Sequence, residues 1–195
     1  MYINESLFNE FLTEREVAWI GIDFSRAMFT KNGFEMPQEA IIHFFNDLNL
    51  LIISDQKKYD IRQSFRKPVM HYDLSLVTKK NKSVKIASHL VENISVFHQF
   101  SEEDLLQYVS TFEIPVQSRF ALTLVVESLD RNSKTGSLWV VLLDTQTHQI
   151  ALCEKFLKSP GGLTNSSFWA RVFYNLFHDI KGHSFERWVN MVRPS

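Results

Sequence analysis

The chain has 195 residues, 45% of them hydrophobic, with 17 Phe, 5 Tyr and 4 Trp and a formal net charge of −1. That much apolar and aromatic surface excludes intrinsic disorder, six Gly and five Pro exclude collagen-like or linker-like material, and a lone Cys153 excludes a disulfide framework and a multi-thiolate metal site. At this length one domain covering residues 1–195 is expected, with roughly 70% of the unfolded chain's surface removable from water.

In chain order, Asn4 to about Thr13 reads as an amphipathic helix, with Leu7, Phe8, Phe11 and Leu12 on one side. The first residues lack the basic start and unbroken apolar run of a signal peptide. With Met1 as the natural start, the expected location is the cytoplasm. A trimmed N-terminal signal would instead make the protein periplasmic or envelope-associated. Glu16 to Phe24 reads as a strand that is apolar on both faces and therefore interior to a sheet. Arg26 to Glu35 reads as irregular. Pro37 suits the first turn of a helix running to about Ser54, with Ile41, Ile42, Phe44, Phe45, Leu48 and Leu51 on a broad apolar face. The stretch from Ile41 to Ile53 is interrupted by polar residues and is shorter than the ~20 residues of a membrane span.

Met70 to Thr78 is the next strand candidate, and Lys79 to Lys82 then looks like an exposed turn. Ser101 before Glu102, Glu103 and Asp104 is a helix start, with a hydroxyl cap and acids at the positive end of the dipole. Phe120 to Leu129, Leu138 to Leu143 and Gln149 to Leu157 are three β-rich runs joined by short polar turns, which makes an antiparallel meander over 119–158. Pro160, Gly161 and Gly162 break the sheet. Thr164, Asn165 and Ser166 then cap a helix over 165–180 whose aromatic face carries Phe168, Trp169, Val172, Phe173, Leu176 and Phe177. A helix end at Gly182 and a short final helix over 185–192 complete the chain. The fold expected is α+β, or a mixed-sheet α/β sandwich, with strand 16–24 beside the meander and helices 37–54 and 165–180 packed on it.

The near-zero net charge hides an asymmetry. Lys57, Lys58, Arg62, Arg66, Lys67, Lys79, Lys80, Lys82 and Lys85 face only Asp60 and Asp73 within residues 57–85, while the flanking regions are acidic. Tyr59, Phe65 and Tyr72 interleave with these cations, a mixture that suits single-stranded nucleic acid. No nucleic-acid motif accompanies it, so a solvated basic face, or one that docks an acidic partner surface, is favoured.

Two segments have the form of ligand sites. Asp23 and Ser25 sit where the first strand ends, a usual place for catalytic carboxylates in α/β folds. Gly21, Asp23 and Phe24 resemble the opening of actin-like ATPases, but Ser25, Arg26 and Ala27 replace the glycines that would wrap a phosphate. Asp23 and Ser25 as turn caps are the favoured reading. Gly161, Gly162, Asn165 and Ser166 precede a helix N-terminus that could hold an anion, although capping explains every one of them. Cys153 reads as a buried structural thiol. His178, Asp179 and His183 share no regular helix face and are not expected to hold metal, and His43 with Asp47 reads as a helix-surface pair.

The run from Leu138 to Ile150, Gly161 and Gly162, and Phe168 to Arg171, with the strand at 16–24, resembles a group of uncharacterised bacterial exported or lipoprotein-type α/β domains. That resemblance brings no catalytic residue, and the lipobox cysteine is absent. The function expected is a non-enzymatic module for protein interaction or small-ligand binding, with no catalytic residue, cofactor or metal and with a homodimer covering any apolar patch. The alternatives are an enzyme or ligand carrier with one cleft around Asp23, Ser25 and the 161–166 loop, and a binder of nucleic acid or anionic surfaces through residues 57–85.

Overall fold

The computed structural model describes residues 1–94 and 100–193. Its sheet comprises β1 (Tyr2–Ile3), β2 (Glu16–Asp23), β3 (Met28–Thr30), β4 (Val69–Tyr72), β5 (Leu90–Val91), β6 (Phe120–Asp130), β7 (Thr135–Asp144) and β8 (Ile150–Lys158). The strand order is β1-β8-β7-β6-β2-β4, with β3 pairing both β6 and β5. The meander is antiparallel, and the strands beyond β6 run parallel to their neighbours. The fold is therefore α+β with a mixed sheet.

Apolar alternation with period two divides the core between the two faces. Trp19, Ile22, Leu122, Leu124, Val140 and Leu142 point to one face. It is covered by α1 (Glu5–Thr13), α2 (Gln38–Ser54), α6 (Asn165–Asp179) and α7 (Phe185–Val192). Ala18, Ile20, Ala121, Val125, Trp139 and Val141 point to the other, under α5 (Glu102–Val109) and Phe112. With both faces covered, every residue of β2 from Val17 to Asp23 is buried.

Four local expectations need correction. The strand expected over 70–78 is β4 only as far as Tyr72, after which Asp73 Oδ1 accepts the Ser75 N–H at 2.8 Å and starts α4 (Ser75–Lys82). Leu74 and Val77 then bury on one side at helical spacing. Lys79, Lys80 and Lys82 form the last turn of that helix, where cations complement the dipole, rather than an exposed turn. The stretch from Arg26 to Glu35 contains β3 and a 3-10 turn at Lys31–Gly33. Gly182 does not stop α6, because the backbone passes through a π turn, Ile180–Ser184, directly into α7. Among the described residues no helix is long and apolar enough to cross a membrane.

Two carboxylates fasten the ends of these elements. Asp179 accepts from Lys158 Nζ and, at 2.7 Å, from Ser184 Oγ. Asp144 accepts from the N–H groups of Gln146 and Thr147 at 2.8 and 2.9 Å and from Arg119 Nε at 3.2 Å. Burial alone would raise both carboxyls, but these bonds outweigh it and hold each below its ordinary value. A depressed folded pKa gives stability that is full above the unfolded value of about 3.9 and is lost as pH falls through the folded value. Asp144→Asn and Asp179→Asn are therefore expected to lower stability at neutral pH and to flatten its loss below about pH 4. Thermal melts followed by circular dichroism from pH 7 downwards read this, and an unchanged acid limb in both variants would contradict it.

Candidate functional site

The β2 and β3 strands lie end to end along β6, pairing Ala121–Val125 and Ser128–Leu129 respectively. The chain leaves the sheet between them, and Asp23 and Ser25 sit at that break. Tyr108 Oη donates to Asp23 Oδ2 at 2.5 Å, the Ser25 N–H donates to Oδ1 at 2.8 Å, and Ser25 Oγ lies 2.8 Å from Tyr108 Oη. Lys80 Nζ is 3.9 Å from Oδ2 and lies over the rings of Tyr108 and Phe112 at 4.4 and 4.6 Å. Arg26 lies over Tyr108 from 4.7 Å.

Burial, then the charge of Asp23 and the hydrogen bond to it, pushes the Tyr108 hydroxyl far above its ordinary value. Burial lowers the Lys80 ammonium, Asp23 opposes that shift, and Arg26 reinforces it. The Asp23 side chain has no exposed surface. A general base must come within about 2.6–3.2 Å of a substrate proton, and here those positions are filled by Tyr108 and Ser25. The cluster ties α5 and α4 to the strand break.

The glycine-rich loop lies elsewhere. Thr164 and Ser167 form a capping box in which each hydroxyl accepts the other's N–H, at 3.1 and 3.0 Å. The Gly161 N–H donates to the Phe168 carbonyl at 2.9 Å and Asn165 Nδ2 to the Gly33 carbonyl at 3.2 Å, while Ser166 is exposed. Gly162 has φ +144°, and a Cβ there would lie 2.5 Å from Ser167 Oγ. This loop leads into α6 on one face of the sheet, whereas Asp23 and Ser25 meet α5 on the other. Among the described residues the two segments do not share one cleft.

The nine basic residues do not make one face either. Lys67 is buried and donates from Nζ to the carbonyls of Phe11 and, at 2.8 Å, Glu14, closing the C-terminal end of α1. Burial lowers its pKa to about 8, with the charge of Glu14 partly opposing. Lys80 belongs to the Asp23 cluster, and Lys82 and Lys85 are exposed around the end of α4. Lys79 lines a separate groove with Glu113 and Ile114.

The remaining cations converge. Lys57, Lys58, Asp60, Gln63 and Ser64 form one wall of a groove of about 420 Å³, and Tyr174, Phe177, His178 and Lys181 form the other. A second groove of about 560 Å³ continues from it past Arg62, Arg66 and Pro68, sharing Gln63 and Lys181. The short helix α3 (Ile61–Ser64) supports both, capped by Asp60 Oδ1 accepting from the Gln63 N–H at 3.0 Å. Ser64 Oγ fixes α3 to α6 by donating to the Phe177 carbonyl at 3.0 Å. Lys181 Nζ donates to Gln63 Oε1 at 2.5 Å across the groove, and Arg66 pairs with Glu186 at 2.6 Å. Tyr59 and Phe65 are buried in the core, and Tyr72 is 37% exposed.

His178 and Lys181 were not connected with the basic segment by sequence; His178 lies on the exposed side of α6 and Lys181 in the π turn that follows it. Among the described residues no group of three or more His, Cys, Asp or Glu could hold a metal ion. Cys153 is buried, and burial foremost, aided by Glu102, pushes its thiol up to about 12.

No family model matches the chain. No curated protein matches it. Among solved structures, a Xanthomonas campestris protein described under the DUF330 family model is 12% identical with a TM-score of 0.27, the match covering 40% of this chain and 49% of that one. The chain thus spans about half the length of that protein. The C-terminal domain of LpoB from Salmonella enterica is 11% identical with a TM-score of 0.32, over 80% of this chain and 94% of that one. A hypothetical protein from Chlamydia trachomatis is 10% identical with a TM-score of 0.35, over 92% and 98%. Likeness at this level carries no argument about what the chain does.

Proposed function

We propose that this chain is a non-enzymatic interaction module that docks an acidic segment of a partner protein in the groove between residues 57–64 and the end of α6. The observation that carries this reading is the convergence of Lys57, Lys58, Lys181 and His178 on one groove, with Arg62 on its continuation beside the Arg66–Glu186 pair. The carboxylate lining the first groove, Asp60, is engaged in capping α3. A cationic cleft of this kind attracts an anionic partner over about a Debye length, ~8–10 Å at physiological salt.

An acidic polypeptide fits better than single-stranded nucleic acid. Base stacking needs several accessible aromatic faces, whereas Tyr59 and Phe65 are committed to the core, His178 already stacks on Tyr174 at 6.1 Å, and of the three aromatics interleaved with the cations Tyr72 alone is exposed. An enzymatic reading finds little support at Asp23, whose oxygens are already satisfied.

Fluorescence anisotropy of a labelled deca-glutamate peptide tests the proposal. Wild-type protein should bind it with an affinity that falls steeply with salt. Lys57→Glu, Lys58→Glu and Lys181→Glu combined should weaken binding by about tenfold to a hundredfold, at ~0.5–1 kcal/mol for each exposed charge. Lys82→Glu with Lys85→Glu should leave it unchanged. Absence of salt-sensitive binding, or equal binding by the triple variant, would sink the reading. Tighter binding of a single-stranded oligonucleotide than of the peptide would transfer the groove to nucleic acid.

A further inference from the structure

We infer that the acidic segment is held by strand addition at the free edge of β4, as an extended chain running on from the basic groove, an inference that rests on the docking reading above. The β4 strand ends the sheet, with β2 as its partner and no second strand beside it among the described residues. The Val69 N–H donates to the Arg15 carbonyl at 3.2 Å and the Asp73 N–H to the Trp19 carbonyl at 3.0 Å. Backbone groups of alternate residues point to opposite sides of a strand. Val69, His71 and Asp73 therefore bond inward to β2, and the N–H and C=O groups of Met70 and Tyr72 point to the outer edge.

Sheet edges are ordinarily kept short or blunted by Lys, Pro, a bulge or a covering element, and β4, at four residues, offers room for a brief added segment only. The sequence of β4, Val-Met-His-Tyr, contains none of these blunting residues, and Val69 and Tyr72 are 39% and 37% exposed. The second groove runs past Arg62, Arg66 and Pro68 to the residue where β4 begins. Met70 packs against the core face that holds Ile61 and Phe65, and Tyr72, two residues further along the strand, lies on that same side. A segment leaving the groove thus meets an unpaired edge, and its alternate side chains fall on the face that carries Arg62. Strand addition takes affinity from backbone bonds and selectivity from alternate side chains, so acidic residues at alternate positions are the pattern this edge selects.

The test uses the wild-type protein and three labelled decapeptides. The parent alternates Glu and Val, one derivative is N-methylated at every Glu, and the other at every Val. Only one set of N–H groups can face β4, so one derivative should bind about tenfold more weakly, the worth of two lost backbone hydrogen bonds. The other should bind like the parent. Amide exchange at Met70 and Tyr72 should slow when the parent binds. Equal affinities of the two methylated peptides, or unchanged exchange at both residues, would overturn strand addition. Retained sensitivity to the Lys57, Lys58 and Lys181 reversals would then leave groove docking standing. A parent peptide that does not bind at all would overturn both.

Discussion

Replacing Gly21 by Ala is expected to destabilise the protein by about 3–5 kcal/mol, from a strained backbone added to an overpacked core. Gly21 has φ +101°, in the region that residues with a Cβ rarely adopt. A Cβ there would lie 2.6 Å from Val77 Cγ2, 2.7 Å from Asn49 Oδ1 and 2.8 Å from Leu74 Cδ2. Neither of the two nearest groups can swing away cheaply. Val77 has no exposed surface, and Asn49 Oδ1 is held at 2.7 Å by the Ile22 N–H. The conformation follows from the register, because pairing with β6 steps from Trp19↔Leu122 to Gly21↔Thr123 and leaves Ile20 as the extra residue of a bulge. Thr123 Oγ1 reinforces the bulge by donating to the Gly21 carbonyl at 2.8 Å. Urea unfolding should show a lower midpoint at an unchanged slope. A loss below about 1 kcal/mol would mean that the bulge relaxes and that neither strain nor contact is real.

The long elements were legible because their periodicity runs unbroken. The strand over 16–24, the meander, the helix from Pro37 and the helix from Asn165 each carry enough apolar residues in register to decide their own conformation. The helix start at Ser101 was legible from its hydroxyl and the acids after it, because the cap is local; the structure adds that Asp104 returns the bond within four residues. β3 and β5 have three and two residues, and only their neighbours in the sheet make them strands. Between Met70 and Lys82, a strand-like alternation runs into a helix because one side chain, Asp73, captures the backbone N–H of Ser75.

The charge asymmetry of residues 57–85 was visible, but its meaning was not. A count of cations cannot show that Lys67 closes α1 and that Lys80 covers Tyr108. Nor can it show that Lys181, more than a hundred residues further on, completes the groove begun by Lys57 and Lys58. Burial removes some charges from the surface and tertiary contact imports others, and neither is a local property.

Asn49 and Asn81 escaped sequence reading altogether, and their combined loss is expected to cost about 4–6 kcal/mol at ~1–3 kcal/mol for each orphaned buried group. Because β4 ends at Tyr72, the edge of β2 at Ile22 and the Phe24 that follows it have no strand beside them among the described residues. The two carboxamides take its place. Asn49 Oδ1 accepts the Ile22 N–H and Asn81 Oδ1 the Phe24 N–H, both at 2.7 Å, and their Nδ2 groups both donate to the Ile22 carbonyl, at 3.1 and 3.0 Å. Leu in place of either Asn keeps the branched skeleton of non-hydrogen atoms, though with more bulk, and removes the bonds. Each single variant should lose about 2 kcal/mol, the unmet N–H being its main cost. The double variant should lose more than the sum, because only then is the shared Ile22 carbonyl left without either amide. Urea unfolding of the four proteins gives the coupling directly. Strict additivity would mean that the carbonyl draws nothing from having two donors.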